Sequence, residues 1–202
     1  MKDWIGNKKS TFVTLGASSH TDKERQREDY YATDPKAVYK LLEVESFNKN
    51  IWECAVGEGH IAKVLIENGY TIRASDIVDR GFENTEIIDF LNKGGLFDSI
   101  EKWKGDIITN PPYKYAKEFV ERALEVINDG NRVAMILKIQ FLESEKRYEL
   151  FKSNPPRYIY VFRKRVSCAM NGDFESYPSS AVCYCWYIWE KGFKGDPKVR
   201  WL

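Results

Sequence analysis

Asp106-Ile107-Ile108-Thr109-Asn110-Pro111-Pro112-Tyr113 is the stretch from which the chain reads as an alternating α/β protein. Residues 106–109 are apolar and β-branched, which predicts a buried strand. Beyond the prolines, Ala116, Phe119, Val120, Ala123, Leu124 and Ile127 recur at helical spacing, and Gly130 is the expected stop. A rigid Asn-Pro-Pro-aromatic turn therefore sits at the carboxyl end of a strand, the edge of an open α/β sheet where ligands bind. Pro111 and Pro112 fix their own φ, and Pro111 restricts Asn110 as well. Neither proline has an N–H, so the turn offers acceptors. The Asn110 side-chain oxygen and the Pro111 carbonyl suit an amino group with two hydrogens to give, and the Tyr113 ring suits a flat, conjugated partner. The same residues also fit an ordinary Pro-rich strand-to-helix turn.

The amino-terminal side extends the pattern. Ile51-Trp52-Glu53 predicts a short strand leading into Cys54-Ala55-Val56-Gly57-Glu58-Gly59-His60, and Ile61, Val64 and Leu65 form the inner face of the next helix. A Gly-x-Gly between strand and helix lets backbone approach a ligand closely. No Lys-Ser/Thr follows it, which excludes a phosphate loop, and the dinucleotide fingerprint lacks its third glycine. Residues 70–75 predict a second strand ending at Asp76-Ile77. An acid about 20 residues after the glycine loop is placed for ribose hydroxyls, with Ile77 beside it to cover an adenine ring. Glu86-Ile87-Ile88 predicts a third strand, and Asp89, before Phe90, is placed to accept from an adenine amino group. Any one of these acids suits a solvated surface; acids at successive strand tips suit a site. Upstream, Asp34 caps a helix with Pro35 in its first turn, expected to run to about Phe47. Capping does not account for the preceding Tyr30-Tyr31-Ala32-Thr33.

On the carboxyl side, residues 132–137 predict a buried strand ending in Lys138-Ile139-Gln140, and residues 142–153 a charged helix. Residues 158–162 read as another strand, and residues 181–189 as a long aromatic strand that closes a hairpin. Residues 167–180, with Asn171-Gly172-Asp173-Phe174, read as a loop.

The chain has 202 residues, 43% of them hydrophobic, enough for one core. No apolar run reaches membrane length, and Met1-Lys2-Asp3-Trp4 opens no signal region. The four cysteines form no Cys-x-x-Cys pair and only two histidines accompany them, so no metal site is expected, and a reduced cytoplasmic setting fits. Net charge is +1 but unevenly spread: residues 41–101 hold 12 acidic and 5 basic side chains, residues 138–165 hold 8 basic and 3 acidic. Such asymmetry fits a polyanion approaching one side. Residues 1–29 read as a polar arm, in which Lys8-Lys9 and the run 23–27 are placed to touch phosphates, and residues 30–202 as one domain.

Together these motifs resemble the S-adenosyl-L-methionine-dependent DNA adenine-N6 methyltransferases of the short bacteriophage and prophage type. The match covers about residues 30–190: Asn110-Pro111-Pro112-Tyr113 resembles the catalytic motif, and Glu53-x-Ala55-x-Gly57-x-Gly59 the cofactor loop. Asp76, Ile77, Asp89 and Phe90 occupy the next cofactor positions, and Thr33 with Pro35 the segment at the methionine end. The resemblance implies a Rossmann-like class I methyltransferase fold: a seven-stranded, mainly parallel sheet, antiparallel in its last strand, with helices on both faces. It also implies a DNA or RNA partner in the cytoplasm of a bacterial or phage-infected cell. Two departures stand out. Cys54 replaces a common proline, and no large target-recognition domain is evident, so Lys138, Arg163, Lys164, Arg165 and the loop bearing Phe174 are the candidate nucleic-acid contacts. Phe174 is placed to hold the second face of an extruded base. RNA base methylation, glutamine-N5 methylation of a protein and a catalytically idle binding module are the competing readings.

Overall fold

The run 106–109 is buried at every position, and each strand beside it is parallel, the arrangement that demands continuous apolar sequence. The computed structural model describes residues 30–93, 102–170 and 182–202. Over these, the elements in chain order are β1 (Tyr31–Thr33), α1 (Pro35–Leu42), β2 (Asn50–Glu53), α2 (His60–Glu67), β3 (Thr71–Asp76), β4 (Glu86–Ile87) and β5 (Asp106–Thr109). There follow α3 (Ala116–Val126), β6 (Arg132–Lys138), α4 (Glu145–Ser153), β7 (Tyr158–Val161), β8 (Cys168–Met170), β9 (Tyr184–Glu190) and β10 (Lys198–Trp201). The expected arm, residues 1–29, and Phe174 lie outside the described residues.

The main sheet has the order β10-β7-β9-β6-β5-β2-β3-β4, parallel throughout except for β9. Strand β9 pairs antiparallel with β6 over seven residues and with β7 over four, so it fills the gap between two parallel strands instead of closing a simple hairpin. Alternation along it feeds two cores. Cys185, Tyr187 and Trp189 join the cluster under α3 and α4, while Tyr184, Trp186 and Ile188 join the cluster under α1 and α2. Helices thus cover both faces. The buried indoles find acceptors: Trp186 Nε1 donates to Ala37 O at 2.9 Å and Trp189 Nε1 to Asn154 O at 3.1 Å.

Four expectations need correction. The sheet has eight strands, not seven, because Lys198–Trp201 adds an edge strand parallel to β7; four exposed residues after a Gly-Asp-Pro turn carry too little pattern to announce it. Helix α1 stops at Leu42, short of Phe47; beyond it Val44 is exposed, and the Glu45 carboxylate is held by Arg132 and Tyr160 of the main sheet. Helix α3 stops at Val126, because Ile127 is drawn into an extended bridge with Trp103; Gly130 belongs to the following turn. The first residues of the expected 167–180 loop form β8, which pairs with β1 as a separate two-stranded sheet, Thr33 opposite Cys168.

At the amino end of β5, the buried Asp106 carboxylate accepts from Asn48 N at 2.6 Å, Arg132 N at 2.8 Å and Asn131 Nδ2 at 3.0 Å. These donors precede or begin β2 and β6, so one side chain aligns three central strands. Asp106→Ala removes the acceptor of three part-buried N–H groups, and a hydrogen bond to a carboxylate contributes about 1.5–3 kcal/mol. The unfolding free energy by urea denaturation is expected to fall by about 3 kcal/mol or more.

Candidate active site

The carboxyl ends of β2, β3 and β5 and the extended β1 open onto one cavity of about 640 Å³. Most sequence-predicted residues line it: Thr33 from β1, Glu53 and Ala55 from the β2 end, Asp76 and Ile77 from the β3 end, Asp89 and Phe90 beyond β4, and the Asn-Pro-Pro-Tyr turn. The volume is in the range of sites that enclose a nucleoside-sized ligand.

Asn110 leaves the buried Thr109 at the end of β5, and its side chain is oriented from outside the main sheet. Its Nδ2 donates to the Tyr31 carbonyl at 2.8 Å. That bond fixes which amide atom points where, and Oδ1 remains buried without a partner at the cavity wall. Two further cavity oxygens, Thr33 Oγ1 and Glu53 Oε2, are also buried and unpartnered. Buried polar atoms cost free energy unless bonded, so three of them around one cavity mark a surface shaped for a polar ligand. Glu53 is only 1% exposed. Burial holds its carboxyl well above the ordinary carboxylate range; the Ala62 backbone N–H opposes the shift and the Asp76 charge adds to it.

Asp76 has a second task that its position in the sequence does not reveal. Its Oδ2 accepts from Gly57 N at 2.8 Å and its Oδ1 from Val78 N at 3.1 Å, so it ties the glycine loop to the end of β3. A carboxylate has about four lone-pair sites, which leaves it able to accept from ligand hydroxyls. Gly57 and Gly59 adopt φ of +56° and +78°, which suits glycine. They do not line the cavity. A Cβ at either would overlap a ring, Tyr30 at Gly57 and Phe82 at Gly59, so the close approach these glycines permit is made by the chain's own aromatics.

Tyr113 is placed differently from a free stacking platform. Its ring lies 5.8 Å from that of Tyr31, interplanar angle 27°, and 5.8 Å from that of Tyr184, angle 31°. Its buried hydroxyl faces Cys168 and Tyr184, and burial pushes the phenol well above its ordinary value. Lys138 Nζ stands 4.9 Å over the same ring, which places this candidate nucleic-acid contact beside the turn. Arg163, Lys164 and Arg165 are exposed but lie off the cavity. Tyr30, Tyr31, His60, Arg80 and Tyr115 line the cavity without having been singled out. Tyr30 and Tyr31 did carry a signal, an aromatic pair that helix capping left unexplained. Tyr30 accepts from Glu58 N at 3.3 Å and lies 4.5 Å under the Arg80 guanidinium. Burial pushes its phenol up to about 12. Burial also lowers the pKa of His60, at the head of α2.

No protein-family model and no curated protein sequence matches the chain. Solved structures do. The fold is similar to a predicted O-methyltransferase from Agrobacterium tumefaciens: TM-score 0.59, 12% identity, 83% of this chain and 85% of that one. It is also similar to a proposed class I S-adenosylmethionine-dependent methyltransferase from Listeria monocytogenes: TM-score 0.56, 13% identity, 96% of this chain and 71% of that one. A proposed RNA methyltransferase from Pyrococcus horikoshii aligns over 93% of this chain and its own entire length, with TM-score 0.55 and 14% identity. The chain therefore has the Rossmann-like fold of class I methyltransferases.

Glu53 yields a pH prediction. A carboxyl whose folded pKa is raised favours folding while protonated; that contribution is complete below its ordinary value of 4.5 and is lost as pH rises through the folded value. Glu53→Gln stays neutral throughout. The variant is expected to gain stability relative to wild type as pH rises above 4.5, measured by denaturant titration at a series of pH values.

Proposed function

We propose that the chain transfers a methyl group from S-adenosyl-L-methionine to the exocyclic N6 amino group of adenine in DNA. The observation that carries this reading is Asn110 Oδ1, held at the cavity wall without a partner because Nδ2 is anchored to Tyr31 O. Beside it runs the carbonyl of Pro111, whose ring supplies no competing donor. Bound S-adenosyl-L-methionine supplies an electrophilic methyl on a sulfonium.

The residues present fit that cofactor. Glu53 and Thr33, with unpartnered oxygens, suit the polar methionine end. Asp76 keeps acceptor capacity for ribose hydroxyls, and Ile77, 55% exposed, and Phe90 offer apolar cover for an adenine ring. Asp89 Oδ1 accepts from Leu91 N at 3.0 Å, which steadies the carboxylate for an amino group.

The amino group of adenine is a weak nucleophile because its lone pair is delocalised into the ring. Asn110 Oδ1 and the Pro111 carbonyl accept its two hydrogens, favour a tetrahedral nitrogen, and stabilise the positive charge that builds there. No strong base is needed, because the nitrogen, once methylated and positively charged, releases one of its protons to solvent. In a duplex the base first leaves the stack, and Tyr113 meets it by giving up its contact with Tyr31 or Tyr184. Arg163, Lys164 and Arg165 are assigned to phosphate, and residues 30–202 to one methyltransferase domain. Methylation of an RNA base is the second reading, since the same two acceptors serve any exocyclic amino group.

Asn110→Ala removes the acceptor and leaves the prolines and Tyr113 in place. Single-turnover methylation of adenine-containing DNA is expected to slow by about 10²–10³, the usual cost of one such group. Cofactor affinity by calorimetry should be nearly unchanged. Nucleoside mass spectrometry of treated DNA and RNA identifies the product. A variant that methylates at the wild-type rate makes the turn merely structural.

A further inference from the structure

Strand β10 runs parallel to β7, and β7 runs in the direction of β6 and β5, so its last residue, Trp201, emerges at the same end of the sheet as Asn110. Four strand spacings separate β10 from β5, roughly 20 Å. Trp201 is 67% exposed, an unusual position for the largest side chain. Register places Val199 opposite Ile159 and Trp201 opposite Val161, so all four share one sheet face. On that face lies a groove of about 770 Å³, with Ile159 in its floor and Tyr148, 62% exposed, on the α4 side.

The cations at this end of the edge are Arg163, Lys164 and Arg165, all exposed, in a chain whose net charge is +1. Arg163 N and Nε both donate to Leu202 O, at 2.8 and 3.2 Å, which pins the run Arg163-Lys164-Arg165 beside Trp201. Exposed aromatics beside tethered cations form the surface on which unpaired bases stack while phosphates are neutralised. A paired duplex offers no such base faces except at its ends. A second copy of the chain, carrying the same positive run, would meet like charge.

Resting on the methyltransferase reading above, we infer that Trp201, on the same sheet face as the groove that Tyr148 lines, binds an unpaired stretch of the nucleic-acid strand that flanks the target base. Strand β10 is then the part of the chain that selects single-stranded over duplex substrate.

The probe is a fluorescently labelled oligothymidylate of about a dozen nucleotides, a length within the site sizes of such grooves. It contains no adenine and so reports on the groove, not the target pocket. Trp201→Ala in the full chain is expected to bind it at least about fivefold more weakly by anisotropy. Trp201→Phe should stay within about threefold of wild type and Tyr148→Ala should lie between, while a duplex of equal length should be little affected. Cofactor affinity serves as the check on folding. Wild-type affinity in Trp201→Ala overturns the inference, as does an equal loss for duplex. So does a dimer that depends on Trp201 with oligothymidylate binding unchanged, which would assign the edge to a second copy. If wild type methylates adenine-containing DNA yet ignores oligothymidylate, the groove assignment fails alone. If the probe binds through Trp201 while no nucleic acid is methylated, the methyltransferase reading fails alone.

Discussion

A single buried carboxylate holds the central strands in step. Asp106 gathers the backbone N–H groups of Asn48 and Arg132 and the Asn131 side chain at the amino ends of β2, β5 and β6. Three hydrogen bonds satisfy the acceptors of this buried group. Because strand register is quantised, fixing one end fixes the other. Ile51 opposite Asp106 and Ile107 opposite Val133 determine that Glu53 and Asn110 end their strands around the same cavity. The candidate site is assembled at the far edge by a bond made at the near one.

The opposite edge is held by a different device. Strand β1 is outside the main sheet and pairs, among the described residues, with β8 alone, yet its Tyr31 carbonyl orients Asn110 and its Thr33 joins the cavity wall. Asp34 N adds a bond to Ser167 O at 3.1 Å. The loop after β7 therefore bears on the Asn110 amide through β8 and β1, and Cys168, Tyr184 and Tyr113 meet beneath that strap. The polar ends of the proposed cofactor and target pockets share one small, separately hydrogen-bonded sheet.

The parallel core was legible because burial on both faces writes itself as unbroken apolar runs, as in residues 106–109 and 132–137. The acids at strand tips and the Asn-Pro-Pro-Tyr turn were legible because local covalent geometry and chain position suffice to place them. What escaped depends on contacts between distant segments. Nothing in the residues Lys198-Val199-Arg200-Trp201 announces a pairing with β7, since four exposed positions carry no burial pattern. The rings that cover Gly57 and Gly59 come from residues 30 and 82, beyond any local window. Tyr113 is similar: its motif implies a free ring, but tertiary packing sets it between Tyr31 and Tyr184.

The antiparallel strand governs when the sheet can form at all. Strand β9 lies between β6 and β7, yet more than forty residues separate its start from the end of β6. During synthesis β5 and β6 can join β2 and β3, but β7 has no partner in the main sheet until Tyr184–Glu190 arrives. The growing chain therefore passes through a half-built sheet whose newest edge is the apolar strand Arg132–Lys138, open along seven residues. Such an edge is the kind that pairs with the wrong neighbour. The aromatic strand that covers this edge also removes it as a site of mispairing, and its pairing across more than forty residues is of the long-range kind that slows folding.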